Sequence, residues 1–319
     1  MTAAGARLAW TRMPGNLRGM ALMAAAAVIF SVEVLFIRWM NDRGIPVATQ
    51  LLVRALGQFV WIAPLLLGGG VAVFRTARLP MHLFRGACSL ATWGLYFLSF
   101  RYLDPATGTV LSFTNVMFTT MLAAPLLGEA VGRARWAGTL IGLFGVAVML
   151  RPGAGIDPLG AAIAIGAAIC WCGITLTSRM LTRTERTQTV FAWVGLVTSL
   201  GAAPFAIATW MPLGLGDVAV LAVFGCVTPA ILWLITEALR AGEASAVAPL
   251  QYLRLPIVAL AGWLIWGQVP DAAAWAGAAV ILAGAVIVTV AEARAASQAA
   301  NRQAASAASS GAGSKPKSP

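Results

Sequence analysis

Apolar runs long enough to cross a bilayer recur along this chain, separated by short links holding Gly, Pro, Asp or Arg. A spanning helix needs about 20 predominantly apolar residues, and in hydrocarbon its backbone N–H and C=O groups must pair within the segment. Repetition of that pattern makes the chain an all-α polytopic membrane protein. Ten spans can be drawn, over 18–38, 46–68, 80–101, 105–127, 134–151, 158–178, 187–210, 217–239, 244–267 and 272–291. Composition agrees, with 60% hydrophobic and only 10% charged residues. Soluble domains carry about 25% charged residues, and none could keep so much apolar surface dry.

The net charge of +11 would point a soluble protein toward nucleic acid; here the placement of the charges excludes that partner and sets orientation instead. With the N-terminus inside, the inner links hold sixteen Lys and Arg residues, Arg85 among them, against Arg38, Arg43, Arg101 and Arg151 outside. That bias puts both termini in the cytoplasm of a bacterial-type inner membrane and requires an even number of spans. Residues 1–17 form a cytoplasmic segment. Arg7, Arg12 and Arg18 precede an apolar stretch as in a signal peptide, but the stretch runs past Glu33 without a small-residue cleavage site and reads as a retained helix. Residues 292–319 are Ala/Ser/Gly-rich and read as a disordered cytoplasmic tail.

Cys88, Cys170, Cys172 and Cys226 all lie in apolar runs and read as packing residues. His82 is the single histidine, leaving no cluster for a metal. Neither a GxxxxGK[ST] nucleotide loop nor an HExxH zinc helix is present. No cofactor is expected.

The two halves match under a shift of 139 residues: Gly128-Glu129 falls on Gly267-Gln268, Trp136 on Trp275, Gly138 on Gly277, Gly145 on Gly284 and Arg101 on Arg240. Each repeat holds five spans, an odd number, so the second sits upside down. Such inverted repeats build many secondary transporters, with the substrate site near the midplane between them. Residues 18–151 and 152–291 are the two repeats. The segments 113–153 and 251–288, with LLGE and RPG in the first and YLRLP and GWLIWGQVPD in the second, resemble the paired signature of EamA-type transporters of the drug/metabolite transporter superfamily. The resemblance implies ten helices around a central cavity and transport of small organic metabolites without nucleotide hydrolysis. A proline usual near Val116 and a glutamate usual at Gln268 are absent.

The candidate site residues are polar or aromatic groups at mid-depth. An arginine at the centre of a span costs about 2.5–3.5 kcal/mol on insertion scales, so Arg254 needs a partner, a watery cavity or an anionic ligand. With no acid within a turn on its own helix, it is expected to face the cavity, opposite Asn115, its equivalent in the first repeat, with Gln251 on the same face. Glu33 lies about 22 Å up its helix at 1.5 Å per residue, at the height of Arg54. The two form either a structural ion pair or a substrate site in which Glu33 orients Arg54 or exchanges a proton. Trp93 and Tyr96, with Trp171 and Trp233, are either packing or a cavity wall favouring a planar ring or a cation. Gly138 and Gly142 make a GxxxG read as packing within one chain.

The leading expectation is a secondary transporter, not an enzyme, moving an anionic or zwitterionic metabolite by alternating access. Its partners are that small molecule and the lipid bilayer; whether it is a monomer or a homodimer stays open. The alternatives are a membrane enzyme acting on a lipid or isoprenoid, and a scaffold that transports nothing.

Overall fold

The computed structural model describes residues 15–127, 132–149, 155–181, 184–241, 248–268, 271–273 and 275–287, with isolated positions 290, 291, 294 and 298. Most of the expected N-terminal segment and of the 292–319 tail lies outside the described residues, as do Gly128-Glu129 and Arg151-Pro152-Gly153. The described residues are helical, without strands. In order they form α1 (Gly15–Asp42), α2 (Val47–Gly69), a 3-10 turn (Gly70–Phe74), α3 (Leu79–Ser99), α4 (Pro105–Ser112) and α5 (Thr114–Leu127). Then follow α6 (Arg133–Met149), α7 (Pro158–Leu181), α8 (Thr187–Ala208), α9 (Leu215–Ala241), a second 3-10 turn (Ala248–Leu253), α10 (Arg254–Trp266) and α11 (Trp275–Ile287).

Five helices contain stretches long and apolar enough to cross a membrane: Leu17–Asp42, Val47–Pro64, Pro158–Ser178, Gln188–Ala208 and Leu215–Ile235. Local chemistry sets their ends. After α1 the chain reverses through Gly44, whose φ of 74° suits a residue without Cβ. Before α4, the Asp104 carboxylate accepts the Thr107 N–H at 2.9 Å, and Pro105 occupies the first turn.

Two expected spans are discontinuous. The span drawn over 105–127 divides at Phe113 into α4 and α5, although no proline stands near Val116. Hydroxyls replace it: Thr109 Oγ1 donates to the Pro105 carbonyl at 2.6 Å, Ser112 Oγ to Thr109 at 2.7 Å and Thr114 Oγ1 to Leu111 at 2.6 Å. Side chains that bond back to carbonyls three or four residues earlier bend a helix. In the second half the 3-10 turn gives way to α10 at Arg254. The breaks occupy matching places, and the matched pair Phe113 and Tyr252 meets edge to face at 4.8 Å.

The packing has the same internal correspondence. α3 lies on α7 as α9 lies on α1; α2 touches α9 as α8 touches α3; α5 lies on α7 as α10 lies on α1. α6 and α11 approach almost to backbone contact. A Cβ on Gly145 would sit 2.9 Å from the Gly277 carbonyl, and one on Gly284 would sit 2.5 Å from that of Gly138 and 2.6 Å from the Gly142 nitrogen. The GxxxG therefore packs inside one chain. The largest buried cluster, with Phe30, Val34, Trp93, Tyr96, Phe97 and Phe224, fills the centre around α1, α3 and α9.

Candidate functional site

A cavity of about 150 Å³ lies between α1, α2 and α3 on one side and α7, α8 and α9 on the other. Helical periodicity aims its lining. Arg85, Ser89 and Trp93 share one face of α3 at four-residue spacing, as do Arg54 and Gln58 on α2. α1 adds Phe30 and Glu33; opposite them stand Trp171, Val190, Phe191, Val194, Thr228 and Pro229. Among the described residues the charged lining groups, Glu33, Arg54 and Arg85, come from α1–α3.

Glu33 and Arg54 are both buried, with Arg54 Nε 3.2 Å from Glu33 Oε1. Thr228 Oγ1 donates to the same oxygen at 3.1 Å, while Glu33 Oε2 has no hydrogen-bond partner among the described residues. The Arg54 guanidinium carbon lies 3.5 Å from the Trp93 ring centroid, so the cation is held by an acid and by an aromatic face. Trp93 and Trp171 lie 5.2 Å apart; Phe30 is 6.5 Å from Trp171 with planes only 18° apart. Together these rings make the aromatic wall of the cavity.

Arg254, expected to face the cavity, stands one layer behind that wall, against the far side of Phe30. Its guanidinium is buried between Phe30 at 4.5 Å and Phe113 at 4.1 Å, and Nη2 donates to Ser112 Oγ at 3.2 Å. Two ring faces and a hydroxyl touch this cation, and the Glu33 carboxylate acts on it through space. Tyr96 is also behind the wall, fully buried against Trp93 and Trp171. Asn115 is half-buried on α5, its carbonyl accepting from Cys172 Sγ at 3.4 Å; neither it nor Gln251 lines the cavity. Trp233 points outward, half-exposed beside Trp61 at 6.4 Å. Thr228, Ile231, Leu232 and Ile235 hold the cavity face of α9, and a residue between them turns away at 100° per position.

Sequence reasoning missed Phe30, Gln58, Ser89 and Thr228 in the lining and, among its charged groups, Arg85. Counted as a cytoplasmic anchor, it is buried in the cavity wall. Its spacing from Ser89 and Trp93 was the available signal.

The cavity extends toward the end of the molecule where α3 and α8 begin and α9 finishes. The opposite end is tied shut around the end of α1. Arg38 Nη1 donates to the Phe100 and Leu103 carbonyls at 2.8 and 3.1 Å, and Asn41 Nδ2 donates to that of Phe97 at 2.8 Å. Arg43 pairs with Asp217 at 2.9 Å, and Trp266 Nε1 donates to Asp42 at 2.9 Å. These contacts join α1 to the α3–α4 link, α9 and α10. Among the described residues no cluster of His, Cys, Asp and Glu has the makings of a metal site, and all four cysteines are free.

Residues 17–151 and 158–290 each match the model of the EamA-like transporter family. The chain is 30% identical over 277 residues to a protein of Vibrio cholerae named riboflavin transporter, covering 86% of this chain and 93% of that protein. To the S-adenosylmethionine uptake transporter of Rickettsia bellii it is 28% identical over 240 residues, covering 74% and 81%. A solved crystal structure superposes with a TM-score of 0.59 over 85% of this chain and 97% of that one, at 22% identity, which speaks to the fold alone.

Proposed function

The chain belongs to the EamA-like transporter family, and on that premise we propose that it carries a small metabolite with a planar heteroaromatic ring, a flavin foremost. The observation behind this reading is the wall made by Trp93, Trp171 and Phe30, with the Arg54 guanidinium over Trp93. Aromatic pairs contribute about 0.5–1.5 kcal/mol beyond the area they bury, and a flavin or adenine ring offers the flat face they need. The names of the Vibrio and Rickettsia relatives fit that chemistry. Family membership also sets aside the enzyme and scaffold alternatives.

The scaffold in this proposal is ten spans in two inverted repeats, 18–151 and 152–291, with both termini in the cytoplasm of the inner membrane. The reciprocal helix contacts, the matched breaks at Phe113 and Tyr252 and the paired glycines of α6 and α11 support it. Transport then proceeds by alternating access, with the α1 end closed in this conformation and the cavity facing the cytoplasm. At about 150 Å³ the cavity takes a single ring system, below the roughly 300–1,000 Å³ of a drug-sized site. Seating a ring with its tail requires the cavity mouth to widen.

The test is titration of the purified full chain in lipid nanodiscs with riboflavin and, separately, S-adenosylmethionine. Flavin fluorescence reads the first and calorimetry the second. Saturable binding weakened at least tenfold by Trp93→Ala or Trp171→Ala is expected, together with riboflavin flux into proteoliposomes without nucleotide. Absence of binding by both ligands overturns the substrate class.

A further inference from the structure

Arg54 reaches the cavity already matched to Glu33. Arg85 does not. Its Nε donates to Ser178 Oγ at 3.2 Å, and none of the ion pairs among the described residues includes it. A guanidinium carries five donors in a rigid fork, and a buried cation without a counter-ion is costly. Such a residue at the wall of an open cavity lacks one thing, an anion, and the cavity is where an anion arrives.

Position supports the same reading. Arg85 lies two turns before Trp93 on one face of α3, about 12 Å away at 1.5 Å per residue, with Ser89 between them. A ring at the aromatic wall thus leaves its tail running along α3 toward Arg85.

We infer that Arg85 is the subsite for an acidic group, a phosphate or carboxylate, borne on the tail of the transported ring compound. This deepens the function proposed above and rests on it for the ring. Guanidinium binds such oxyanions in bidentate fashion, so Arg85 selects acidic over neutral members of one ring class.

The test compares riboflavin with flavin mononucleotide, which adds a phosphate to the same ring and tail. In the full-length protein, flavin mononucleotide should bind at least tenfold more tightly. Arg85→Gln should abolish that preference, lowering flavin mononucleotide affinity at least tenfold more than riboflavin affinity, and Arg85→Lys should restore part of it. Equal affinities in the unaltered protein, or a preference that survives Arg85→Gln, overturn the inference. If neither flavin binds, the ring assignment falls, and tryptophan quenching by iodide against neutral acrylamide decides the Arg85 subsite. A fall in the iodide-to-acrylamide ratio on Arg85→Gln, with thermal melting unchanged, supports an anion site there; an unchanged ratio overturns it.

Discussion

Glu33 and Arg54 show how a membrane interior treats charge. Each has a partner that breaks if the other is removed, and losing one member of a buried pair costs about 3–5 kcal/mol because it strands the remaining charge. Glu33→Gln is therefore expected to lower the melting temperature of the purified protein, and Glu33→Gln with Arg54→Gln to recover much of the loss. Arg254 behaves differently, since Phe30 and Phe113 hold it and none of the ion pairs among the described residues includes it. Arg254→Met preserves the length and contact area of the stem. It should leave riboflavin affinity within about twofold, because cation–π contacts are worth about 0.5–2 kcal/mol and these lie behind the wall; a tenfold loss in the same titration would restore Arg254 to the site. Depth along a helix was legible in the sequence, so Glu33 and Arg54 could be paired before any coordinates. Azimuth was legible only where several cavity residues shared a face. Arg254 has the right depth, but Phe30, on another helix, intervenes, and no pattern within its own segment records that.

Among the helices, the glycines make the sharpest demands. A methyl on Gly284 would fall within 2.7 Å of three backbone atoms of Gly138 and Gly142, and backbone has no rotamer by which to move away. Gly284→Ala is expected to force α6 and α11 apart and to reduce the yield of monodisperse protein in detergent. Gly216→Ala, with nothing within 4 Å of its Cβ, should behave as the unaltered chain does. The spacing of these glycines was visible as a 139-residue offset, because small residues are kept where backbones touch. The break at Phe113 was hidden. Proline is the usual sign of an interrupted helix, whereas Thr109, Ser112 and Thr114 act through hydroxyl bonds that also occur in unbroken helices.

Across the whole molecule, the two ends are unequal. One gives onto the cavity, while the other is fastened by Arg38, Asn41, Asp42, Arg43 and Asp217. Exposed ion pairs each contribute about 0.2–1 kcal/mol, a scale at which the alternating access proposed above can undo a fastening. Asp42→Ala with Asp217→Ala should weaken the closed end by about 1 kcal/mol, or about fivefold in the opening equilibrium. Hydrogen–deuterium exchange of amides 38–44 and 97–104 should rise accordingly; unchanged protection there would mean that packing of Phe97 and Phe100 alone keeps it shut. The helical class and the recurrence of the two halves followed from composition and periodicity. The closed end did not, because its bonds run from side chains to carbonyls far along the chain.

Among the described residues the charged lining is one-sided: Glu33, Arg54 and Arg85 precede residue 100, and the later helices contribute rings, aliphatic groups and Thr228. Likeness of the halves governs how the bundle is assembled, and their unlikeness governs what it prefers. A carrier built this way changes the charge it favours through residues on α1–α3, while Trp171 on α7 keeps the ring face on which any such solute stacks.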